Sequence, residues 1–420
     1  MKILLLHDVQ ADKQNGVSVS LGILYNMLKK TENEVRILTL SDGTRSYKNG
    51  DHYCLSSVPA LIYPGIRMRP PLNNKYVEEL IEWNPDIIHT NCEFSTFLYA
   101  DQIHKRCKVT PKWVHTFHTD YKYYIGVFQN VKTIRDKAVP KVLNKCFTKT
   151  DALIVPTVKM RDYVINDPIF SDRINMKIIP TGIDFSELEQ NPKDSVLNTK
   201  KDLGIPADAK IVLFLGRISQ EKNLPELLKY FKEYIKNHDD VYLVTVGSGP
   251  YMDTLKNKAS DPGFNGRVIV HDGVPHREIR KYYDVADVFA SASMSETQGL
   301  TFYEALHCGV PVIAKDRECL EGAIEEGVNG AFFDDYATFE DALDSVIDLK
   351  ANSDESSEPT LPKCFESETF ARSVEELYME LLEGNKKETD VLLKKGNISF
   401  KAFKKKININ FEIGGKKKKK

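Results

Sequence analysis

Short apolar runs of strand length alternate with segments of helical periodicity through most of this 420-residue chain, and partway along the pattern starts again. Lys2–Leu6 is the first such run, and Val17–Lys30 follows with apolar residues at helical spacing. Glu34–Leu40, Asp86–His89, Lys112–Phe117 and Ala152–Val155 continue the series, each followed by a polar turn or a helical pattern. Strands that read as unbroken apolar runs are buried on both faces, so the spacing predicts a parallel sheet with helices on either side.

The restart begins at Lys210–Leu215, which ends in Gly216. A helix is expected over Leu224–Lys236, then strands at Val241–Val246, Val268–His271, Val288–Ala290 and Val310–Ile313. Two serial α/β halves imply two Rossmann-like domains, over residues 1–190 and 191–365. A C-terminal helix over 366–384 is expected to return to the first domain, and a basic tail runs over 385–420. Open parallel sheets bind ligands beyond the carboxyl ends of their strands, which puts the expected active site in a cleft between the domains.

Composition excludes several classes. Lys and Arg total 58 against 60 Asp and Glu, a net charge of −2, which disfavours a globally basic nucleic-acid binder. Seven cysteines, widely spaced and without a Cys-x-x-Cys pair, argue against a disulfide framework or a zinc finger and for a reducing compartment. Apolar runs all fall short of the roughly 20 residues needed to span a bilayer, so membrane contact is expected to be peripheral.

The most informative segment is Ser295-Glu296-Thr-Gln-Gly299-Leu300-Thr301-Phe-Tyr-Glu304. A helix starting near Gly299 offers unpaired N–H groups and a positive dipole end to an anion. Glu296 just before it and Glu304 within it suit a hydroxyl-rich ligand, although a capped helix with surface acids reads the same way. Gly216-Arg217-Ile-Ser-Gln-Glu221-Lys222 lies between a buried strand and a helix, where Arg217 and Lys222 can neutralise a diphosphate and Glu221 can orient one of them. The alternative is a solvated charged loop. Asn15-Gly16, Gly247-Ser-Gly249 and Gly182-Ile-Asp184 are glycine turns, and none is a full dinucleotide fingerprint. His118, in His115-Thr-Phe-His118, closes a first-half strand and can polarise a substrate or serve as a structural histidine. No third ligand accompanies the two histidines, so no metal site is expected. A Gly-x-Ser-x-Gly elbow, a Walker loop and an Asp-x-Asp motif are all missing from the sequence.

In combination these motifs resemble the retaining glycosyltransferases of the GT-B fold in the group called family 4, over Met1 to about Leu382. The likeness rests on Glu296…Glu304, Gly216-Arg217…Lys222, Gly247-Ser-Gly-Pro250 and the Gly16 turn. Within the group, Ser295–Thr301, His89…Glu93-Phe-Ser95 and Thr116-Phe-His-Thr119 look most like the bacterial diacylglycerol glucosyltransferases. The resemblance implies that Arg217 and Lys222 hold the donor diphosphate and Glu296 the sugar hydroxyls. It places Gly299, Leu300 and Thr301 at the donor's phosphate or sugar, Glu304 on the ribose and Val274 against the base. Gly16 would approach the phosphate and His118 the transferred sugar, while Glu93 matches that branch without an assigned role. It implies UDP-glucose as donor substrate, no cofactor, and diacylglycerol as acceptor at the inner face of the cell membrane. Attack would come from the face the diphosphate leaves, with the phosphate taking the acceptor proton. A family 4 enzyme acting on a soluble or polyprenyl-linked acceptor, or a non-catalytic nucleotide-sugar sensor, are the alternatives.

A second clue concerns lipid. Lys122–Lys149 holds seven basic residues and one acid, led by Tyr121, Tyr123, Tyr124 and Phe128. Lys132, Arg135, Lys137, Lys141, Lys145 and Lys149 are the candidate contacts to anionic lipid, with Val131, Ile134, Ala138, Val142 and Cys146 on one expected helical face. The alternative is a solvated helix packed on the first domain. From Asn385 the chain carries 13 lysines against three acids, suited to reversible electrostatic binding or merely to solubility.

Overall fold

The computed structural model describes residues 1–8, 16–59, 67–124, 137–188, 193–349 and 363–384. The chain divides into two compact units: one contains residues 1–183 and the helix Ser367–Leu382, the other residues 184–363.

In unit one, ten strands are β1 Lys2–His7, β2 Glu34–Ser41, β3 Tyr47–Asn49, β4 His52–Ser56, β5 Val58–Pro59, β6 Arg67–Met68, β7 Ile87–Thr90, β8 Lys112–Thr116, β9 Ala152–Val155 and β10 Met176–Ile178. Eight of them form a sheet in the order β10-β9-β8-β7-β1-β2-β4-β3, parallel except for the β3–β4 edge. β5 and β6 make a separate antiparallel ribbon. Side-chain alternation explains why β1 is apolar from Ile3 to Leu6. Ile3 and Leu5 point into a core with the helices Gly16–Lys29 and Ser367–Leu382, whereas Leu4 and Leu6 join Leu80, Phe97 and Trp113 on the other face.

The C-terminal helix lays Phe370, Val374, Leu377 and Tyr378 on that first core. Its Tyr378 hydroxyl is 2.5 Å from His89 Nδ1, and Thr116 Oγ1 is 2.6 Å from His89 Nε2. Burial, then the nearby His115, depresses the His89 pKa to about 3, so a neutral ring needs both partners. Tyr378→Phe is therefore expected to lower unfolding stability by about 1–3 kcal/mol, read from urea melts, because it orphans a buried nitrogen.

Unit two carries β11 Lys210–Leu215, β12 Val241–Gly247, β13 Val268–Asp272, β14 Val288–Ser291, β15 Val312–Ala314 and β16 Gly330–Phe332. All pair in parallel in the order β13-β12-β11-β14-β15-β16. The order reverses direction beside β11, the switch point where an open sheet leaves room for a ligand. The expected α/β class with two such sheets is what the chain adopts. Several ends shift by a residue, and two move further: the helix after β11 stops at Tyr234 rather than Lys236, and the strand expected from Val310 begins at Val312.

Candidate active site

The segments after β11 and β14 are laced together in unit two. Ser295 Oγ donates to the Glu221 carbonyl at 3.2 Å, and Asn223 Nδ2 donates to the Ala292 carbonyl at 3.3 Å. This lacing brings Lys222 Nζ to 2.7 Å from Glu296 Oε1, with side-chain exposures of 23% and 12%. Two residues 74 apart in sequence thus share one half-sheltered ion pair. Arg217 is half-buried on the same loop. The Glu221 carboxylate accepts from Ser219 Oγ at 2.6 Å.

Gly247 and Gly249 have a reason that needs no ligand. A Cβ on Gly247 would lie 1.8 Å from the Gly216 carbonyl oxygen, and one on Gly249 would lie 2.2 Å from that of Ile218. The loops after β11 and β12 touch backbone to backbone, and Gly273 after β13 packs on them in turn. Val274 follows, half-buried.

The helix Leu300–His307 starts where expected, with Gly299 as its N-cap at φ 74°, a left-handed backbone that disfavours side chains. Leu300 and Thr301 form its first turn. Glu304 is 5% exposed. Its Oε2 accepts from the Tyr283 hydroxyl at 2.9 Å and its Oε1 is 3.1 Å from His276 Nε2. Tyr283 also donates to the Thr301 carbonyl, at 3.2 Å. Burial, reinforced by Glu304, raises the Tyr283 pKa well above that of a free phenol, so it stays a donor. The pair Tyr283 and His276 was not singled out in the sequence; a buried carboxylate requires donors, but nothing in the spacing says which.

In unit one, Gly16 opens the first helix, while Asn15 lies outside the described residues. Among the described residues, a Cβ on Gly16 would meet nothing within 4 Å, and its backbone is not left-handed. His118 lies just past β8, with Nε2 3.1 Å from Asn91 Oδ1. Burial, then the neighbouring His115, His89 and His7, holds its pKa well below the ordinary imidazole value. Its ring is therefore neutral at pH 7, able to donate or accept a hydrogen bond. The Glu93 carboxylate accepts from the Tyr121 hydroxyl at 2.7 Å and sits 3.2 Å from His115 Nε2. Among the described residues, no cluster of three His, Cys, Asp or Glu could hold a metal ion.

Two family models match the chain: "Glycosyl transferases group 1" over residues 196–359 and "Glycosyltransferase Family 4" over 14–187. The chain is 31% identical over 410 residues to the alpha-monoglucosyldiacylglycerol synthase of Streptococcus pneumoniae, spanning 96% of this chain and 91% of that one. It belongs to the family 4 glycosyltransferases, with the GT-B fold.

The glycosyltransferase is also 26% identical over 391 residues to the protein of the same name from Acholeplasma laidlawii, covering 89% and 95% of the two chains. Among solved structures, it matches sucrose-phosphate synthase of Thermosynechococcus elongatus at a TM-score of 0.70 and 20% identity, over 91% of this chain and all (100%) of that one. The Anabaena protein HepE, in complex with UDP and glucose, matches at 0.67 and 16% identity, over 90% of this chain and 100% of that one. These two likenesses concern the fold.

The basic segment of the glycosyltransferase is described at 121–124 and from residue 137 onward, so Phe128, Val131, Lys132, Ile134 and Arg135 lie outside the described residues, as does the tail 385–420. The helix Val139–Phe147 buries Pro140, Leu143 and Phe147 and exposes Lys141 and Lys145. Val142 is 58% exposed, and Lys137 and Ala138 are exposed just before the helix. Cys146 departs from the expected outer face: it is half-buried against two core clusters. Lys149 lies past the helix, with Nζ 3.0 Å from Asp101 Oδ1, a carboxylate it shares with Lys105. No described helix is long and apolar enough to cross a membrane.

One further group behind Glu93 titrates unusually. The Asp8 carboxylate accepts the N–H of Thr96 at 2.7 Å and of Phe94 at 3.3 Å. Burial outweighs those bonds and raises its pKa from 3.8 to about 7. The folded state therefore holds a proton that the unfolded chain releases near pH 4. The resulting stability is complete below pH 4 and is lost as pH rises through about 7. Relative to Asp8→Asn, which mimics the protonated acid, the wild type is expected to lose roughly 2–3 kcal/mol between pH 5 and 8, measured by urea melts of both proteins. The buried histidines titrate alike in the two and cancel in the difference.

Proposed function

We propose that this glycosyltransferase moves an α-glucosyl unit from UDP-glucose to diacylglycerol at the cytoplasmic membrane surface, with retention and without a cofactor, forming monoglucosyldiacylglycerol. The observation that carries the transfer chemistry is Lys222 beside Glu296 at the carboxyl ends of β11 and β14. Breaking a sugar–diphosphate bond builds negative charge on the departing oxygen. Lys222, Arg217 and the N–H groups opening the Leu300–His307 helix supply fixed positive charge for it. Glu296 receives the sugar hydroxyls and, in the resting protein, keeps the ammonium oriented. Glu304, already fixed by Tyr283 and His276, accepts from the ribose, with Val274 toward the base. Gly16 leaves the space a phosphate needs, and neutral His118 meets the transferred sugar. The departing phosphate takes the acceptor proton, so no side chain is assigned as a strong base.

The acceptor assignment draws on the two relatives named alpha-monoglucosyldiacylglycerol synthase, which the chain matches nearly end to end. It also draws on the exposed Lys137, Lys141, Val142 and Lys145, a basic face with an apolar residue suited to anionic lipid. The deciding experiment incubates purified protein with UDP-glucose and diacylglycerol in anionic vesicles and identifies the product by mass spectrometry. Vesicle-dependent monoglucosyldiacylglycerol is expected. Transfer to a soluble or polyprenyl-linked acceptor that ignores vesicles would replace the lipid reading, and donor binding without turnover would select a sensor.

A further inference from the structure

Asn91 and Glu93, on the segment leaving β7, grip the segment leaving β8 at three points around His118. Asn91 Oδ1 reaches the His118 ring itself, at 3.1 Å. The two oxygens of Glu93 reach residues on either side of it: Oε1 lies 3.2 Å from His115 Nε2, and Oε2 accepts from the Tyr121 hydroxyl at 2.7 Å. The grip is well sheltered, with side-chain exposures of 0% for His115 and 5% for Glu93. Its base is fixed as well: Thr90 Oγ1 lies 2.8 Å from His115 Nδ1 and accepts from Trp113 Nε1 at 3.0 Å, and Asn91 Nδ2 donates to the Leu6 carbonyl at 3.4 Å. A carboxylate buried this deeply needs hydrogen-bond partners, and the two that Glu93 has close both ends of the short segment that carries His118.

We propose that Glu93 is a positioning residue for sugar transfer, bracketing the 115–121 segment through His115 and Tyr121 so that His118 is held at the reacting sugar. This inference rests on the proposed role of His118. It assigns Glu93 no contact with substrate and no proton transfer. Its geometric logic is that small misplacements of a polar group near the reacting carbon carry large rate penalties.

The test is a double-mutant cycle read on UDP release, which any acceptor sustains, with product identity measured separately. Glu93→Ala is expected to slow turnover roughly 10- to 100-fold with an unchanged KM for UDP-glucose. Tyr121→Phe is expected to give a smaller fall. Glu93→Gln should stay within about threefold of wild type, because its amide oxygen still accepts from Tyr121 and its NH2 can still donate to His115. In a His118→Ala background, Glu93→Ala should slow turnover no further. Equal losses in both backgrounds would reduce Glu93 to a structural residue and overturn the proposal, as would no loss in either. Nitrogen NMR of the histidine rings supplies a readout independent of activity: the His118 signals should shift in Glu93→Ala and persist in Glu93→Gln, and identical spectra in all three proteins would also overturn it. UDP release with a product other than glucolipid would reject the diacylglycerol acceptor while leaving the cycle valid.

Discussion

Lys222→Ala is expected to lower the turnover number of sugar transfer by about 100- to 1,000-fold, with the fold intact. Removing one preorganised charge donor from a developing oxyanion typically raises a barrier by roughly 3–4 kcal/mol, which is that range. The ion pair adds an effect on donor binding to this loss of turnover. Without Lys222, the mostly sheltered Glu296 carboxylate loses this cationic contact beside the position proposed for the donor diphosphate, and its charge then opposes donor binding. KM for the donor should therefore rise as turnover falls. Steady-state kinetics with a circular-dichroism melt as control measure both; unchanged turnover would remove Lys222 from the site.

Gly247→Ala is expected to destabilise unit two by about 3 kcal/mol or more. The new methyl would be forced against the Gly216 carbonyl, a backbone atom that cannot rotate away. Gly16→Ala should behave in the opposite way, with unfolding free energy nearly unchanged and kcat/KM for the donor reduced, since among the described residues nothing lies within 4 Å of the new methyl. Urea melts and donor kinetics on both variants separate a glycine required by packing from one required by a ligand. If Gly16→Ala binds and turns over donor normally, the first-unit loop does not approach the phosphate.

The parallel cores of the fold were legible because buried parallel strands leave long apolar runs. β3, β4 and β16 were not, since Tyr47–Asn49 is exposed along its length, His52–Ser56 has polar residues at both ends and Gly330–Phe332 is only three residues, and β5 and β6 are two residues each. β10 is a half-exposed sheet edge and escaped for the same reason. At the site, Gly299 announced the start of its helix because a left-handed N-cap favours glycine. The partners of the acids were hidden. Tyr283 and His276 reach Glu304 from 21 and 28 residues away, and His115 and Tyr121 reach Glu93 across 22 and 28, distances at which spacing carries no information about contact. The motif Gly247-Ser-Gly249 shows the opposite limit: a sequence pattern suggestive of a ligand cradle is also demanded by loop packing.

The loops after β11 and β14 are proposed to converge and clamp a diphosphate between fixed cations. A crystal structure with UDP bound tests this most directly. Arg217 and Lys222 are expected within hydrogen-bond reach of the phosphate oxygens, about 3 Å, with Glu304 on the ribose hydroxyls. A diphosphate seated elsewhere, with Lys222 turned only toward Glu296 and Arg217 remote from both phosphorus atoms, would contradict it.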